Sequence, residues 1–306
     1  MIHRLFNPKN DVAFKRLFGT EKNQDILITL LNLVLGSQLT KPIEQVRFLN
    51  PIQPPEVHAK KESVVDVLCR DEDHVQYIIE MQVAHGDDFL ARAQYYASKA
   101  FVSQMVQGGR YAHLKEVIFL AFVDFELFPD KDHYKSEHIL LDRKDHKNDL
   151  DKFSFTFVEL PKFDRQRPKD LSRLTREEQF FYFLHHAEHL PPEELKLLMQ
   201  QDPIIERATL ELSAFNWSDE EQRSYEAEYK RVQDNLSVLY QAKKESRAEG
   251  RAEGIAEGRA EGKAEGIAEG RAEGIAEGRA EGIEEAIQRL MKNKGLSRAA
   301  AEQLLS

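Results

Sequence analysis

The chain has 306 residues, 41% of them hydrophobic, and its 43 Lys and Arg against 53 Asp and Glu leave a formal net charge of −10. That length suits one large domain or two smaller ones with a sizeable core, and the acidity excludes a uniformly basic nucleic-acid coat but not a local basic face. The single cysteine, Cys69, excludes an intrachain disulfide and a cysteine zinc cluster. Met1–Asn10 has no apolar leader, and no apolar run approaches the ~20 residues needed to span a bilayer. The expectation is a cytoplasmic protein without a membrane span.

The N-terminal segment Met1–Lys22 is basic: Arg4, Lys9, Lys15, Arg16 and Lys22 stand against Asp11 and Glu21. It is a candidate phosphate-facing patch, in which Asp11 can either cap a helix carrying Phe14 and Phe18 or stand near a metal as a carboxylate. Asp25–Leu35 reads as a helix stopped by Gly36, and Val46–Asn50 as a short strand before Pro51, Pro54 and Pro55. Lys60 and Lys61 form a second basic pair. Val64–Leu68 and Tyr77–Val83 read as strands joined by the polar turn Asp71-Glu72-Asp73-His74. Asp88–Met105 follows as a helix, Val117–Phe125 as a strand buried on both faces, and Phe153–Leu160 as a further strand. Residues 170–215 are expected to be helical. Together these predict a mixed α/β layer followed by helices.

Tyr225, Tyr229, Val232, Leu236 and Leu239 alternate by four and three, a short heptad seam. From Arg247 to Gly282 the sequence is nine uninterrupted copies of x-Ala-Glu-Gly, which hold nine of the 15 glycines. In a helix each repeat drifts ~40° around the axis, so Ile255, Ile267, Ile275 and Ile283 make no fixed apolar face. Glycine disfavours this helix and Ala, Glu and Arg favour it, which predicts a marginal, solvated helix. It serves as a self-association rod or spacer, or is a simple-sequence expansion without a task. Two short helices are expected after it, over Ile283–Lys292 and Ser297–Leu305, with Gly295 at the C′ position of the first and Ser297 capping the second.

Asp66 stands inside an apolar strand, where aspartate is depleted. In the next strand Glu80 and Gln82 share one face. A hairpin turning near Asp73 puts Asp66 directly opposite Glu80, with Cβ atoms ~5 Å apart. Opposed like charges are destabilising unless a cation lies between them, and two carboxylates with a backbone carbonyl are a hard oxygen set suited to Mg²⁺ or Mn²⁺. The alternative is the solvent-facing side of an antiparallel sheet.

Asp66 followed by Glu80-Met81-Gln82 resembles the D…(D/E)-x-K motif of the PD-(D/E)xK nuclease superfamily. More of the chain resembles one branch, the recombination-promoting nuclease (Rpn) and transposase-like family. The segments that carry this are Asn10–Gly19, Val65–Leu68, Ile79–Gln82, Arg92–Lys99, Gly108–Tyr111 and Val158–Phe163, over roughly residues 4–190. The resemblance implies a restriction-endonuclease-like α/β fold, a mixed sheet flanked by helices. A helical extension and a repeat-bearing helical C-terminal arm would follow. The corresponding boundaries are 1–165 for the nuclease-like domain, 166–246 for the extension, 247–282 for the repeats and 283–306 for the terminal helical pair.

The resemblance also implies Mg²⁺-dependent hydrolysis of DNA phosphodiester bonds. Asp66, Glu80 and Gln82 take the catalytic positions. Asp66, Glu80 and the carbonyl of Met81 hold the metal, with Asp11 a candidate third carboxylate. Two positions depart from the wider superfamily: Val65 replaces a proline, and Gln82 replaces the lysine and supplies no positive charge. Arg92 and Lys99, on one face of the following helix with Tyr95, Tyr96 and Ser103, are candidates to replace that charge. Lys15 and Arg16 are candidate phosphate contacts.

Two other function classes stay open: a non-cleaving DNA-binding or recombination accessory protein, which Gln82 and the acidic balance favour, and an oligomeric scaffold that self-associates through the arm. His185, His186, Glu188 and His189 have i, i+4 metal-ligand spacing, but no distant third ligand is identifiable. Cys69 reads as a buried structural residue.

Overall fold

The computed structural model describes residues 4–53 and 63–305. The first half of the chain contains α1 (Asp11–Phe18), α2 (Gln24–Leu35), β1 (Val46–Phe48), β2 (Ile52–Gln53), β3 (Ser63–Val64), β4 (Val67–Asp71), β5 (Gln76–Gln82), α3 (Phe89–Ser103) and β6 (Val117–Val123). The second contains β7 (Lys135–Ile139), β8 (Phe153–Glu159), α4 (Leu160–Gln166), α5 (Arg176–His186), α6 (Pro192–Gln201), α7 (Pro203–Leu212), α8 (Asp219–Lys294) and α9 (Arg298–Leu305). Two compact units result, Met1–Leu236 and Ser237–Ser306.

In the first unit, six strands form one sheet in the order β1-β4-β5-β6-β8-β7, and β2 pairs with β3 separately. β6 is apolar and buried at every position, so it runs through the middle, parallel to both β5 and β8. Alternation along the strands splits the core in two. Tyr77, Ile79, Ile118, Leu120 and Phe122 face one side with Phe14, Leu27, Leu31 and Phe181. Ile78, Phe119, Ala121 and Val123 face the other with Phe89, Ala93, Ala97 and Ala100 of α3. The small residues of α3 let its backbone lie close to the sheet. This is the mixed sheet flanked by helices that the sequence predicts.

The hairpin register also matches: Val67 pairs with Ile79 and Cys69 with Tyr77. The turn works because Asp71 Oδ1 accepts from the amides of Asp73 and Val75, both at 2.9 Å, and His74 takes the left-handed conformation at φ 65°. Two expectations change. Val64–Leu68 is not one strand, because the ladder is interrupted at Val65 and Asp66, between β3 and β4. The edge strand β7 was missed. It is half-polar, and Glu137 and Ile139 are exposed, so it lacks a clear period-2 pattern.

Helix α1 is capped by Asn10, whose Oδ1 accepts from Val12 N at 3.0 Å, rather than by Asp11. Arg16 ties α1 to the helical extension. Its guanidinium lies over Trp217 at 4.7 Å, donates to Asn216 O and Glu221, and forms a looser ion pair with Glu211 at 3.5 Å. Helix α5 starts with a reciprocal capping box between Thr175 and Glu178. Tyr225, the first member of the heptad seam, is buried against Phe6 and Trp217. Tyr229 is exposed, and the side chain of Leu239 lies outside the described residues.

In the second unit the repeats are helical and exposed throughout, and Ile255, Ile267 and Ile275 face solvent. Gly295 at φ 65° ends α8, its amide donating to Met291 O at 3.1 Å. The hydroxyl of Ser297 accepts from Ala300 N, so both expected caps are present, but Ile283–Lys292 is the end of the continuous α8 rather than a separate short helix. Arg298 pairs with Glu284 and Glu302 beside a buried Ile287. Among the described residues no helix is long and apolar enough to cross a membrane.

Candidate metal centre and nucleic-acid interface

The C-terminal ends of parallel β5, β6 and β8 and the start of antiparallel β4 meet at one end of the sheet, the usual place for a site in an α/β layer. Asp66 and Glu80 hold each other there through backbone hydrogen bonds. The amide of Met81 donates to Asp66 Oδ2 at 2.9 Å, and the amide of Asp66 donates to Glu80 Oε1 at 3.2 Å.

The interrupted strand explains this geometry. A continuous ladder would pair Met81 with Val65. The amide of Val65 donates instead to Pro51 O at 3.2 Å, and the Asp66 carboxylate takes the vacated position on Met81 N–H. In a strand the N–H and C=O of one residue point to the same edge. Asp124 N donates to Gln82 O on the β6 side, so Met81 C=O, like Met81 N–H, points to the Asp66 side.

Glu80 is 6% exposed. Burial and the neighbouring Asp66 charge push its carboxyl well above the usual carboxylate range. Burial and the Asp11 charge likewise push Asp66 up to about 7, against the opposing effects of the Met81 amide and Lys15. Such a pair is costly without a cation. Two carboxylates and a carbonyl released from its ladder are a hard oxygen set that fits a divalent ion.

Asp11 and Lys15, one turn apart on α1, stand beside this pair. Lys15 Nζ lies 2.6 Å from Asp11 Oδ1 and 3.6 Å from Asp66 Oδ1. Burial works against its charge, but Asp11, Asp66 and Glu80 outweigh it and raise its pKa, so Lys15 is a cation at neutral pH.

Helix α3 brings Arg92 to the other flank. Arg92 donates to Gln82 Oε1 at 2.9 Å while Gln82 Nε2 donates to Ala84 O at 2.9 Å. The guanidinium is near enough to offset part of the Glu80 charge. Gln82 therefore does not stand in for the lysine but seats a cation beside the carboxylates. Tyr96, one turn further on, is raised by burial and by Glu80 and Asp66, against the opposing effect of Arg92.

The remaining candidates are placed elsewhere. Lys99, ~10 Å further along α3 than Arg92, lines a groove with Arg70, His74 and Lys115. Arg70 and Lys115 were not picked out from the sequence, because they lie on strand and loop segments with no basic run. Arg16 and Lys22 are committed to carboxylates of the helical extension, and Lys9 to Asp124 at 2.7 Å. The expected N-terminal phosphate patch is thus largely neutralised within the chain. Lys60 and Lys61 lie outside the described residues. Cys69 is fully buried and its thiol is pushed far up by burial, which makes it unreactive.

Comparison with curated proteins and with solved structures gives no significant match. The family model described as "PD-(D/E)XK nuclease family transposase" matches residues 8–242, which takes in the whole sheet and every residue of the carboxylate site. The chain therefore belongs to the PD-(D/E)XK nuclease family transposases.

Proposed function

We propose that the protein is a Mg²⁺-dependent DNA endonuclease whose centre is Asp66, Glu80 and the Met81 carbonyl. The observation that carries this reading is the reciprocal clamp of the two buried carboxylates across the interrupted ladder. It fixes one oxygen of each carboxylate on a backbone amide and aligns the other for an ion. Asp11 is the candidate third carboxylate, and Mn²⁺ can replace Mg²⁺ in such a donor set. When bound, the cation lowers the pKa of an attacking water and offsets charge on the phosphate.

The chain's own residues supply the rest. Gln82 holds Arg92 toward the position a scissile phosphate would occupy. Lys15 is kept a cation by Asp11, Asp66 and Glu80, and would be free to reach a phosphate if an ion took over those carboxylates. The groove containing Arg70, Lys99 and Lys115 suits the DNA backbone away from the cut, where phosphate contacts set position rather than sequence.

Supercoiled plasmid is expected to be nicked in Mg²⁺ and left intact in EDTA. DNA that is bound but uncut in both would favour the accessory-protein reading. Arg92→Ala is expected to slow nicking by about 10²-fold, the usual cost of removing one group that stabilises transition-state charge. Lys99→Ala should mainly weaken binding and reduce its salt dependence. Parental rates for both variants would remove α3 from the mechanism.

The exposed repeats are assigned to self-association through the arm. Truncation before Arg247 should lower the mass measured by light scattering from that of an oligomer to that of a single chain. An unchanged mass would exclude the arm from assembly.

A further inference from the structure

A second group of metal-ligating side chains lies outside the carboxylate centre. Asp164 on α4 and His185 and His186 on α5 bring one donor atom each within 4.8 Å of one another. Sequence spacing pointed to His185 and His189 on one helix, but His189 is exposed and pairs loosely with Glu188 at 3.8 Å. The missing distant ligand is Asp164, supplied by α4. All three residues are part-buried, so an ion from solvent can reach them.

We propose that Asp164, His185 and His186 form a binding site for a transition metal of the Zn²⁺ class, with water completing a tetrahedral set. Two imidazoles and one carboxylate are a borderline donor set that favours Zn²⁺ over Mg²⁺.

The surroundings of the three ligands support this. His185 Nδ1 is buried 3.3 Å from Asp124 Oδ1. His185 Nδ1 makes no hydrogen bond of its own, and the nearby Asp124 carboxylate favours the proton on Nδ1, which would leave Nε2 as the lone-pair donor, the arrangement that orients metal-bound histidines. Asp124 is fixed in turn by Lys9 Nζ on Oδ2 at 2.7 Å and by its own amide donating to Gln82 O at 2.9 Å. Asp164 is oriented by Arg167 Nε on Oδ1 at 2.8 Å, the same oxygen that His186 Nε2 meets at 2.7 Å. Oδ2 is left for an ion, and His186 Nε2 would give up its hydrogen bond to Oδ1 on binding one. A metal here would brace α4, α5 and the end of β6 beside the carboxylate centre.

The test is calorimetric titration of the full chain with Zn²⁺ in excess Mg²⁺, repeated with Co²⁺ as a spectroscopic probe. One Zn²⁺ per chain is expected, with a visible tetrahedral Co²⁺ band. His186→Gln should lose both, and Asp124→Asn should weaken Zn²⁺ affinity by about 10–100-fold, each variant being checked for the parental circular-dichroism spectrum. Failure of the parent protein to bind Zn²⁺ would overturn the proposal without reference to any variant. Parental affinity in a folded His186→Gln protein would overturn it equally.

Discussion

Glu80→Gln is expected to stabilise the metal-free protein while abolishing cleavage. Burial holds both carboxyls of the Asp66–Glu80 pair above their ordinary values, with the Asp66 charge adding to the rise at Glu80 and the Asp11 charge to that at Asp66, which stands at about 7 against 3.8. A carboxyl raised in the folded state carries no penalty at low pH, where both folded and unfolded chains are protonated. The penalty grows as pH rises from about 4 to about 7 and is then constant. Glu80→Gln removes the share of this penalty that belongs to Glu80, while the Asp66 share, which burial and Asp11 cause, remains. A glutamine at position 80 keeps the acceptor for the Asp66 amide and removes the opposing charge. It should raise the melting temperature by several degrees at pH 8 in EDTA and change little at pH 4. Mg²⁺ should stabilise the parent at pH 8 and not the variant. A Glu80→Gln protein that is less stable than the parent at pH 8 in EDTA would show that the pair is already neutralised.

Lys162→Met is expected to cost about 3–5 kcal/mol, the penalty for leaving one member of a buried ion pair alone. Lys162 and Glu159 are 2% and 1% exposed and lie 2.9 Å apart. The ammonium also donates to Phe128 O and Lys131 O, while Glu159 Oε1 accepts from the amides of Leu127 and Phe128. The pair therefore stitches the chain after β6 to the end of β8. It holds the segment that begins at Asp124, whose amide bonds Gln82 O at the edge of the carboxylate site. The double replacement Glu159→Leu with Lys162→Met should recover part of the loss, because no charge is then stranded. Chemical denaturation of the three proteins measures this. A single variant within ~1 kcal/mol of the parent would mean that the loop is held by other contacts.

Local chemistry makes much of this legible in the sequence. The turn at Asp71–His74 sets the β4–β5 register, and the register alone puts Asp66 beside Glu80. The small and apolar positions of α3 likewise turn Arg92 toward the site. What could not be read was decided by tertiary contacts. The amide of Val65 turns to Pro51 O, which interrupts the strand and frees the Met81 carbonyl. Arg16 and Lys22 look like phosphate ligands in a basic segment, but α7 and α8 supply carboxylates that occupy them. Lys99 shares a helix face with Arg92, but the helical rise carries it into a neighbouring groove. Asp164 reaches His186 only because α4 and α5 fold back on each other, a juxtaposition that no sequence spacing reports.

The carboxylate pair is tested most directly by nicking of supercoiled plasmid in Mg²⁺ by the parent, Asp66→Ala and Glu80→Ala proteins purified side by side. The expected result is nicking by the parent and its loss in both variants, each still folded. Equal nicking by all three proteins would contradict it.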